Sequence, residues 1–366
     1  MNHKGAGMCL QHFYHYIDHT LPLCELFNAP LLMDDFSLYF QTKILYPFKD
    51  INYIEPKGYS LHEILSPYSF LIYTELYRKH HGSFEFGELL FEGPARSVCA
   101  PHGNSDKGAH AFWMERYVDE DIVLIYGDKM ERFFVEKGVH LERAVRCGNY
   151  RYAYYLKNRD FFDRKAEEEL KKRRSTQCTL FYAPTWQMNN PTMQDPLDKS
   201  SLFDASSWIF DVPEEFCLIV KLHPNLYRFY PEEVLEIKKT VGFQPNVIFL
   251  EEGPLIYPYL AASDAYVGDF SSVGYDFLSF DRPLYFLNFN RRPLDDPGLS
   301  LYRAGRHFMP EEFPQFYQKI AAHFANDQTA LSSVRQELYR DVFDDSALPF
   351  LKGAVENLLN QPEALL

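Results

Sequence analysis

Two adjacent serines, Ser271 and Ser272, lie between the apolar run AYV at residues 265–267 and a helical segment. The start of a helix offers free N–H groups and the positive end of the helix dipole, and serine hydroxyls add donors without bulk. The pattern therefore predicts a phosphate site held by both serines. Capping of the helix by Asp269 or Ser271 is the simpler alternative, because Asp and Ser are preferred N-cap residues.

A histidine and a glycine follow the apolar run SVCA at residues 97–100 after one proline. His102, whose reference pKa lies near neutrality, is a candidate general base for the proton of an attacking hydroxyl. Gly103 provides a backbone without Cβ beside the reacting group, and Lys107 is a candidate cation for a developing anion. A polar turn explains residues 104–108, but it does not explain the position of His102 at the end of a strand.

Two more apolar runs end in residues that suit phosphate contact. The run FCLIV at 216–220 leads to His223, and the proline after it disfavours further regular structure. A histidine there can donate to a phosphate or diphosphate, although a lone histidine is more often a cap or a core-edge residue. After residues 178–182, Thr185 and Trp186 fit a phosphate or base contact, and they fit an ordinary loop with a buried tryptophan equally well.

His19 stands beside Asp18, a carboxylate able to orient its ring. We favour a helix start over chemistry here, because Asp and Thr before Leu21-Pro22 are typical of the entry to a helix. His19 is kept as a supporting candidate.

Short, continuous apolar runs alternate with helical segments along the chain. Such runs are typical of strands covered on both faces, and the alternation predicts parallel sheets with helices on both sides. The charged segment at 160–174 predicts a solvated linking helix with Glu three or four positions before Lys and Arg. Its basic end at 171–174 is a weaker candidate for contact with anionic lipid headgroups. Ligands of such sheets lie at the carboxyl ends of strands, where the candidate residues stand.

The chain of 366 residues is acidic, with a formal net charge of −14. An acidic chain is a poor general binder of nucleic-acid backbone, and we expect no nucleic-acid partner. The six cysteines form no CxxC pair, which indicates a reducing compartment. The N-terminal stretch lacks the apolar region of a secretory signal, and no run of about 18 apolar residues predicts a membrane span. We expect a cytoplasmic protein, and peripheral attachment to the inner face of the membrane stays open.

Taken together, the four strand-end stretches resemble the CDP-glycerol glycerophosphotransferase family, the teichoic-acid polymerase group. The resemblance rests on the His-Gly and Lys-Gly pairs at 102–108, YAPTW at 182–186, KLHP at 221–224 and SDAYVGDFSSVGYDFLSFDRPLYF at 263–286. The last stretch is the most specific. The match spans residues 97–290.

The resemblance implies an α/β protein of the GT-B fold, with two Rossmann-like domains whose parallel sheets face a cleft. We place an acceptor-side domain at 1–160, a linker helix at 161–177, a donor-binding domain at 178–310 and C-terminal helices that pack back on the domains at 311–366.

The implied activity is transfer of a polyol phosphate from a CDP-activated donor to a hydroxyl acceptor, with release of CMP. By matching position, His102 resembles the general base and His223 the diphosphate contact. Ser271 and Ser272 resemble the phosphate-binding pair, which Thr185 and Asp269 would support. A ribose contact for Asp276 extends the argument from nucleotide-binding helices in general. The donor is a substrate, and no cofactor and no metal are expected.

The acceptor expected from the resemblance is a hydroxyl-bearing envelope glycan or lipid-linked molecule. One departure concerns the stretch after His-Gly, where the family tends to have Thr-Pro-Leu-Lys and this chain has Asn-Ser-Asp-Lys at 104–107. Asp106 is therefore expected to add negative charge near a site meant for anions.

Three other functions remain open from the sequence. A GT-B glycosyltransferase using a nucleotide sugar would need the same cleft and the same base. A non-catalytic nucleotide-binding protein would not need His102. A nucleotide-sugar epimerase shares the two-domain plan, but it usually needs several cleft carboxylates, and the sequence offers no convincing set.

Overall fold

The computed structural model gives the fold as two parallel sheets joined by a helical bridge. The residues that the structure describes are 4–10, 16–55, 61–74, 95–104, 106, 117, 120–136, 138, 141, 143–172, 178–186, 200–203, 208–250, 256–296 and 299–361.

Seven parallel strands form the first sheet, in the order β3-β2-β1-β4-β5-β6-β7. Small residues in β1 let helix α1 and Phe70 pack closely against the centre of the sheet, since a Cβ on Gly7 would lie 2.1 Å from Cys24 Sγ. The strands are β1 Gly5–Cys9, β2 Leu31–Met33, β3 Ile51–Tyr53, β4 Phe70–Tyr73, β5 Arg96–Cys99, β6 Ile122–Ile125 and β7 Ala144–Arg146. Its helices are α1 Ile17–Phe27, α2 Phe36–Leu45, α3 Leu61–Leu65 and α4 Asp128–Glu136.

Six parallel strands form the second sheet, in the order β10-β9-β8-β11-β12-β13. Most of their residues are buried, as expected when helices cover both faces of a sheet. The strands are β8 Cys178–Tyr182, β9 Phe216–Val220, β10 Val247–Phe249, β11 Ala265–Gly268, β12 Leu284–Leu287 and β13 Arg306–Phe308. The helices are numbered α7 Pro224–Phe229, α8 Pro231–Val241, α9 Tyr257–Ala261 and α10 Val273–Phe277.

Two helices, α5 Tyr150–Lys157 and α6 Arg159–Glu169, bridge the sheets. Their aromatic residues pack against the second sheet's helices, with the rings of Tyr155 and Tyr257 stacked at 6.1 Å and 19°. Of the basic stretch predicted to end this bridge, Lys171 and Lys172 form a short 3-10 turn with Leu170, and residues 173–177 lie outside the described residues.

Three C-terminal helices follow: α11 Phe316–Ala330, α12 Ser332–Val342 and α13 Leu351–Leu359. The first packs Phe316 against Trp208 in the second domain, with ring centroids 4.8 Å apart. The last returns to the first sheet, where Arg96 donates to the Leu358 carbonyl at 3.0 Å. This return crosses from the second domain to the first, so the C-terminus helps to fix the two sheets together.

One local prediction is wrong. Helix α1 begins at Ile17 and contains Pro22, so the helix does not start at the Leu21-Pro22 step. Pro22 lies beyond the first turn, where it has no N–H to donate to the carbonyl of residue 18. None of the helices in the described part of the chain is long and apolar enough to cross a bilayer.

Candidate active site in the cleft

The loop after β5 of the first sheet touches the loop after β11 of the second. A Cβ placed on Gly103 would lie 3.3 Å from Ser272 Cβ and 3.7 Å from Ser272 Oγ. Gly103 also has φ of +115°, a conformation that side chains rarely adopt. Glycine is therefore suited to this position both by its backbone and by the close approach of the serine. The contact brings His102 and the serine pair to one place.

His102 is exposed, and its ring centroid lies 5.4 Å from that of Tyr16. The loop beneath it is fixed by Tyr126, whose hydroxyl donates to the Pro101 carbonyl at 2.9 Å. Buried His19 lies behind, with Nδ1 3.2 Å from the same hydroxyl. Because burial raises the pKa of Tyr126 and its single proton goes to Pro101, Nδ1 of His19 is the donor in that pair. The structure thus places His19 in the support of the loop.

Asp269 does not cap the helix, and the capping interpretation of Asp269 and Ser271 is wrong. Its carboxylate accepts from Thr185 N at 2.9 Å and from both N and Oγ of Ser201, at 3.1 and 2.9 Å. Ser272 is the residue before α10, and no side-chain hydrogen bond caps that helix. Asp269 instead ties three loops together. Its burial is compensated by these donors, which hold Ser271 and Thr185 at the same edge of the sheet.

His223 precedes α7 and accepts from Asn225 N through Nδ1, at 3.1 Å. This contact is the cap that the simpler sequence interpretation predicted. It also decides the tautomer of a neutral ring, because a nitrogen that accepts carries no proton and Nε2 must then be the donor. The ring lies 5.8 Å from that of Trp186, which stacks on Phe229 at 5.9 Å and 25°. His223 is therefore preset to donate through Nε2.

Lys221 directly follows β9, two residues before His223. Its electrostatic neighbours are Glu169 of the bridge and Asp18 of α1. Burial lowers the pKa of Lys221 to about 8, and the two carboxylates oppose that shift. This half-buried lysine is therefore a further candidate cation for an anionic ligand.

Asp276 lies in a buried ion cluster. Both of its oxygens accept from Arg151 Nη1, at 3.1 and 2.9 Å, and Tyr257 donates to it at 2.9 Å. The other Nη of Arg151 binds Asp18 at 2.6 Å. Burial raises the pKa of Asp276, and Arg151 opposes that shift. The ribose contact predicted for Asp276 finds no support in this geometry, because both carboxylate oxygens are used to join the domains.

Asp106 does not act as the uncompensated charge that its sequence position suggested. Its carboxylate accepts from Leu301 N at 3.0 Å and from the Tyr275 hydroxyl, and Lys129 Nζ lies 3.1 Å away. The negative charge is balanced by one cation and two donors. The predicted anion contact of Lys107 lies outside the described residues.

Sequence reasoning missed Arg151, Arg292 and Tyr275. Each acts through a partner far along the chain, such as Arg151 with Asp276, 125 residues away. An arginine inside the aromatic stretch NYRYAYY was the available signal, because such a residue needs a buried partner. Within the described ranges, no group of three or more His, Cys, Asp or Glu side chains could hold a metal ion.

A family model described as CDP-Glycerol:Poly(glycerophosphate) glycerophosphotransferase matches residues 113–336 of the chain. A search of curated proteins found no match.

Solved structures with similar folds include a variant of the wall teichoic acid polymerase TagF. It has 11% sequence identity and a TM-score of 0.65, and the match covers 98% of this chain and 89% of that one. A TagF variant soaked with CDPG has 12% sequence identity and a TM-score of 0.65, and the match covers 99% of this chain and 90% of that one. UDP-GlcNAc 2-epimerase from Neisseria meningitidis bound to UDP-GlcNAc has 10% sequence identity and a TM-score of 0.59, and the match covers 97% of this chain and 99% of that one. The similarity confirms the predicted GT-B fold.

Proposed function

The chain belongs to the CDP-glycerol:poly(glycerophosphate) glycerophosphotransferase family, and from that premise we propose that it transfers a glycerol phosphate-like group from a CDP-activated donor to a hydroxyl acceptor. The observation that carries this proposal is the contact between Gly103 and Ser272. It joins the candidate base on one domain to the candidate phosphate site on the other. A transferase that uses an activated donor needs both at one point.

In the proposed step, the acceptor oxygen attacks the donor phosphorus that carries the polyol. His102 takes the hydroxyl proton as the new P–O bond forms. The bond from that phosphorus to the oxygen bridging the two phosphates breaks, and CMP leaves with the electron pair. His223 Nε2 and the hydroxyls of Ser271 and Ser272 are the groups proposed to stabilise charge on the diphosphate.

Support for the donor side comes from donors that the fold sets in advance. The proton of neutral His223 is on Nε2 because Asn225 N occupies Nδ1, and Thr185 is held beside the serines through Asp269. Thr185 is proposed as a further phosphate contact. Donors fixed before the ligand arrives need no reorganisation when charge develops, so they stabilise it efficiently.

The acceptor side rests on the family alone. We propose a hydroxyl-bearing envelope glycan or lipid-linked molecule as the acceptor, reached at the inner face of the membrane. The TagF structures soaked with CDPG concern that polymerase, and single transfer and repeated transfer are equally compatible with the site proposed for this chain.

Calorimetric titration with CMP, CDP-glycerol, UMP and UDP tests the donor class. We expect cytidine-selective binding that the double variant Ser271→Ala/Ser272→Ala loses. The control is Ser66→Ala/Ser346→Ala, which changes two exposed serines outside the cleft. Selectivity for uridine would favour a glycosyltransferase that uses a nucleotide sugar. Absence of nucleotide binding by the wild-type protein would refute both functions.

A further inference from the structure

Asp106 is held by groups from both domains. It lies in the loop that follows β5, and it is 3% exposed. Its carboxylate accepts from the Tyr275 hydroxyl of α10 and from Leu301 N at 3.0 Å, both in the second domain. Lys129 of α4, in the first domain, lies 3.1 Å from the same carboxylate. The side chain therefore joins a loop of the first domain to two elements of the second.

The backbone of Asp106 is fixed from the second domain as well. Its carbonyl accepts from Arg292 Nη1 at 3.3 Å. Arg292 is buried, binds Asp296 at 3.0 Å, and lies over the Phe270 ring at 5.5 Å from the centroid. Phe270 directly precedes Ser271, so the arginine that holds the Asp106 backbone also packs beside the serine pair.

The contacts of Gly103 and Asp106 form two attachments between the same two segments. Gly103 meets Ser272, and three residues further along each segment Asp106 meets Tyr275. A single contact would let the loop pivot, whereas two contacts one helical turn apart fix its orientation. His102 precedes Gly103 and takes its orientation from this loop.

Electrostatics make the second attachment strong. Burial, with Asp106 close by, raises the pKa of Tyr275, so the phenol keeps its proton and donates to the carboxylate. A carboxylate as buried as Asp106 needs all its donors, because a charge left without partners in the interior is strongly unfavourable. Separation of the two loops would break the Tyr275 and Leu301 hydrogen bonds together.

We propose that Asp106 is a positioning residue, which ties the His102 loop to the second domain and holds the base in register with the phosphate-binding serines. The proposal deepens the proposed function and depends on it for its effect on turnover. Asp106 touches neither donor nor acceptor in this account. Its loss should lower kcat and leave donor affinity intact, because the donor is held by groups of the second domain.

The test compares Asp106→Asn and Tyr275→Phe with two matched controls. Asp327→Asn changes a buried carboxylate that pairs with Arg306 at 2.7 Å inside the second domain. Tyr155→Phe removes a phenol that donates to Asp163 within the bridge at 2.7 Å. We expect kcat to fall roughly 10- to 100-fold in the first pair, because misplacement of a reacting group by about 1 Å has effects of that size. The CMP dissociation constant and donor KM should stay within about twofold of wild type.

Hydrogen exchange gives a readout that does not depend on turnover. Peptides covering residues 97–104 and 270–277 should exchange faster in Asp106→Asn and Tyr275→Phe, and they should keep their wild-type rates in both controls. Tyr275→Phe removes one hydroxyl and keeps the ring. It therefore tests the same hydrogen bond even if Asp106→Asn fails to fold.

Unchanged exchange in both peptides would overturn the proposal, and so would equal loss of kcat in the Asp327→Asn control. If the wild-type protein neither binds cytidine nucleotides nor turns over CDP-glycerol, the proposed function fails. Even then, faster exchange in the two variants would establish that Asp106 and Tyr275 tie the domains together. Unchanged exchange would refute that tie.

Discussion

Gly103 of the first domain packs against Ser272 of the second, at a distance that leaves no ordinary space for a Cβ. This contact places a backbone with φ of +115° between a histidine and a serine pair that lie 169 residues apart in the chain. The site therefore exists only when the two domains meet.

Replacing Gly103 by alanine should slow turnover. The added Cβ would press on Ser272 at 3.3 Å and would strain the backbone by about 1–2 kcal/mol. Gly138→Ala is the matched control, because Gly138 also has positive φ, +69°, and no heavy atom of the described residues lies within 4 Å of its Cβ position. We expect both variants to lose thermal stability, Gly103→Ala the more because of its contact with Ser272, and we expect kcat to fall in Gly103→Ala alone. Equal kcat values would show that the contact has no role in the site.

Two substitutions of His223 should distinguish its role as the N-cap of α7 from its proposed contact with the donor phosphates. Asparagine is a good N-cap, so His223→Asn should keep the stability of α7, whereas His223→Ala should lose about 1 kcal/mol. Both remove the Nε2 donor, and both should weaken CDP-glycerol binding by a similar factor. Titration calorimetry and thermal denaturation measure the two effects. The control His323→Ala changes an exposed histidine of α11. Wild-type affinity in His223→Asn would exclude His223 from the phosphate site.

Loss of Arg151 should strongly destabilise the contact between the domains. Arg151→Met would leave Asp18 and Asp276 buried together without a cation, and breaking a buried pair in this way costs about 3–5 kcal/mol. Arg159→Met removes an exposed ion pair to Asp163, for which we expect a much smaller loss, because water and salt screen exposed charges. Urea denaturation measures both. Similar free energies of unfolding for the two variants would contradict the role given to the cluster.

Lys221 should lower stability at neutral pH. Its pKa in the folded protein is about 8, below the ordinary lysine value of 10.5, so charging it at pH 7 costs free energy on folding. The cost is complete below pH 8, and it disappears as the pH rises towards 10.5, because the unfolded chain then binds the extra proton. Lys221→Met should therefore raise the free energy of unfolding at pH 7 and raise it less at pH 10. We expect about 1–2 kcal/mol at pH 7, once the energy equivalent of the pKa shift is discounted for screening by solvent.

The same Lys221 variant should bind CDP-glycerol more weakly, because it loses a candidate cation for the anionic donor. Lys239→Met, at an exposed position of α8, is the control for both measurements. A variant that is less stable than wild type at pH 7 would contradict the sign of this argument.

The sequence was sufficient for most strands of the two sheets. Continuous apolar runs such as FLIY and IVLI form β4 and β6 because buried parallel strands require them. The central strand β1, GAGMC, was missed because its residues are small and show no apolar run. Packing explains the composition, since a Cβ on Gly5 would lie 2.1 Å from the Phe70 ring. That constraint comes from tertiary structure and leaves no local pattern.

The candidate site also contains residues that the sequence identified and contacts that it could not. His102, His223 and the serine pair stand directly after strands, where spacing and residue type mark them. The compensation of Asp106 could not be predicted, because its partners Tyr275 and Leu301 lie 169 and 195 residues away. Asp269 was assigned to a local cap for the same reason, since its actual partners belong to two other loops. Local rules identify candidates, and only the fold shows what each of them binds.

Acceptor-dependent formation of CMP from CDP-glycerol is the first measurement to make on this protein, because it reports the proposed transfer itself. The assay compares wild-type protein with His102→Ala, and titration of each protein with CDP-glycerol measures donor affinity. We expect the wild-type protein to release CMP, and we expect His102→Ala to bind the donor with unchanged affinity and to release almost none. Wild-type turnover in His102→Ala, or donor binding that disappears with it, would contradict the assignment of base and phosphate site to opposite domains.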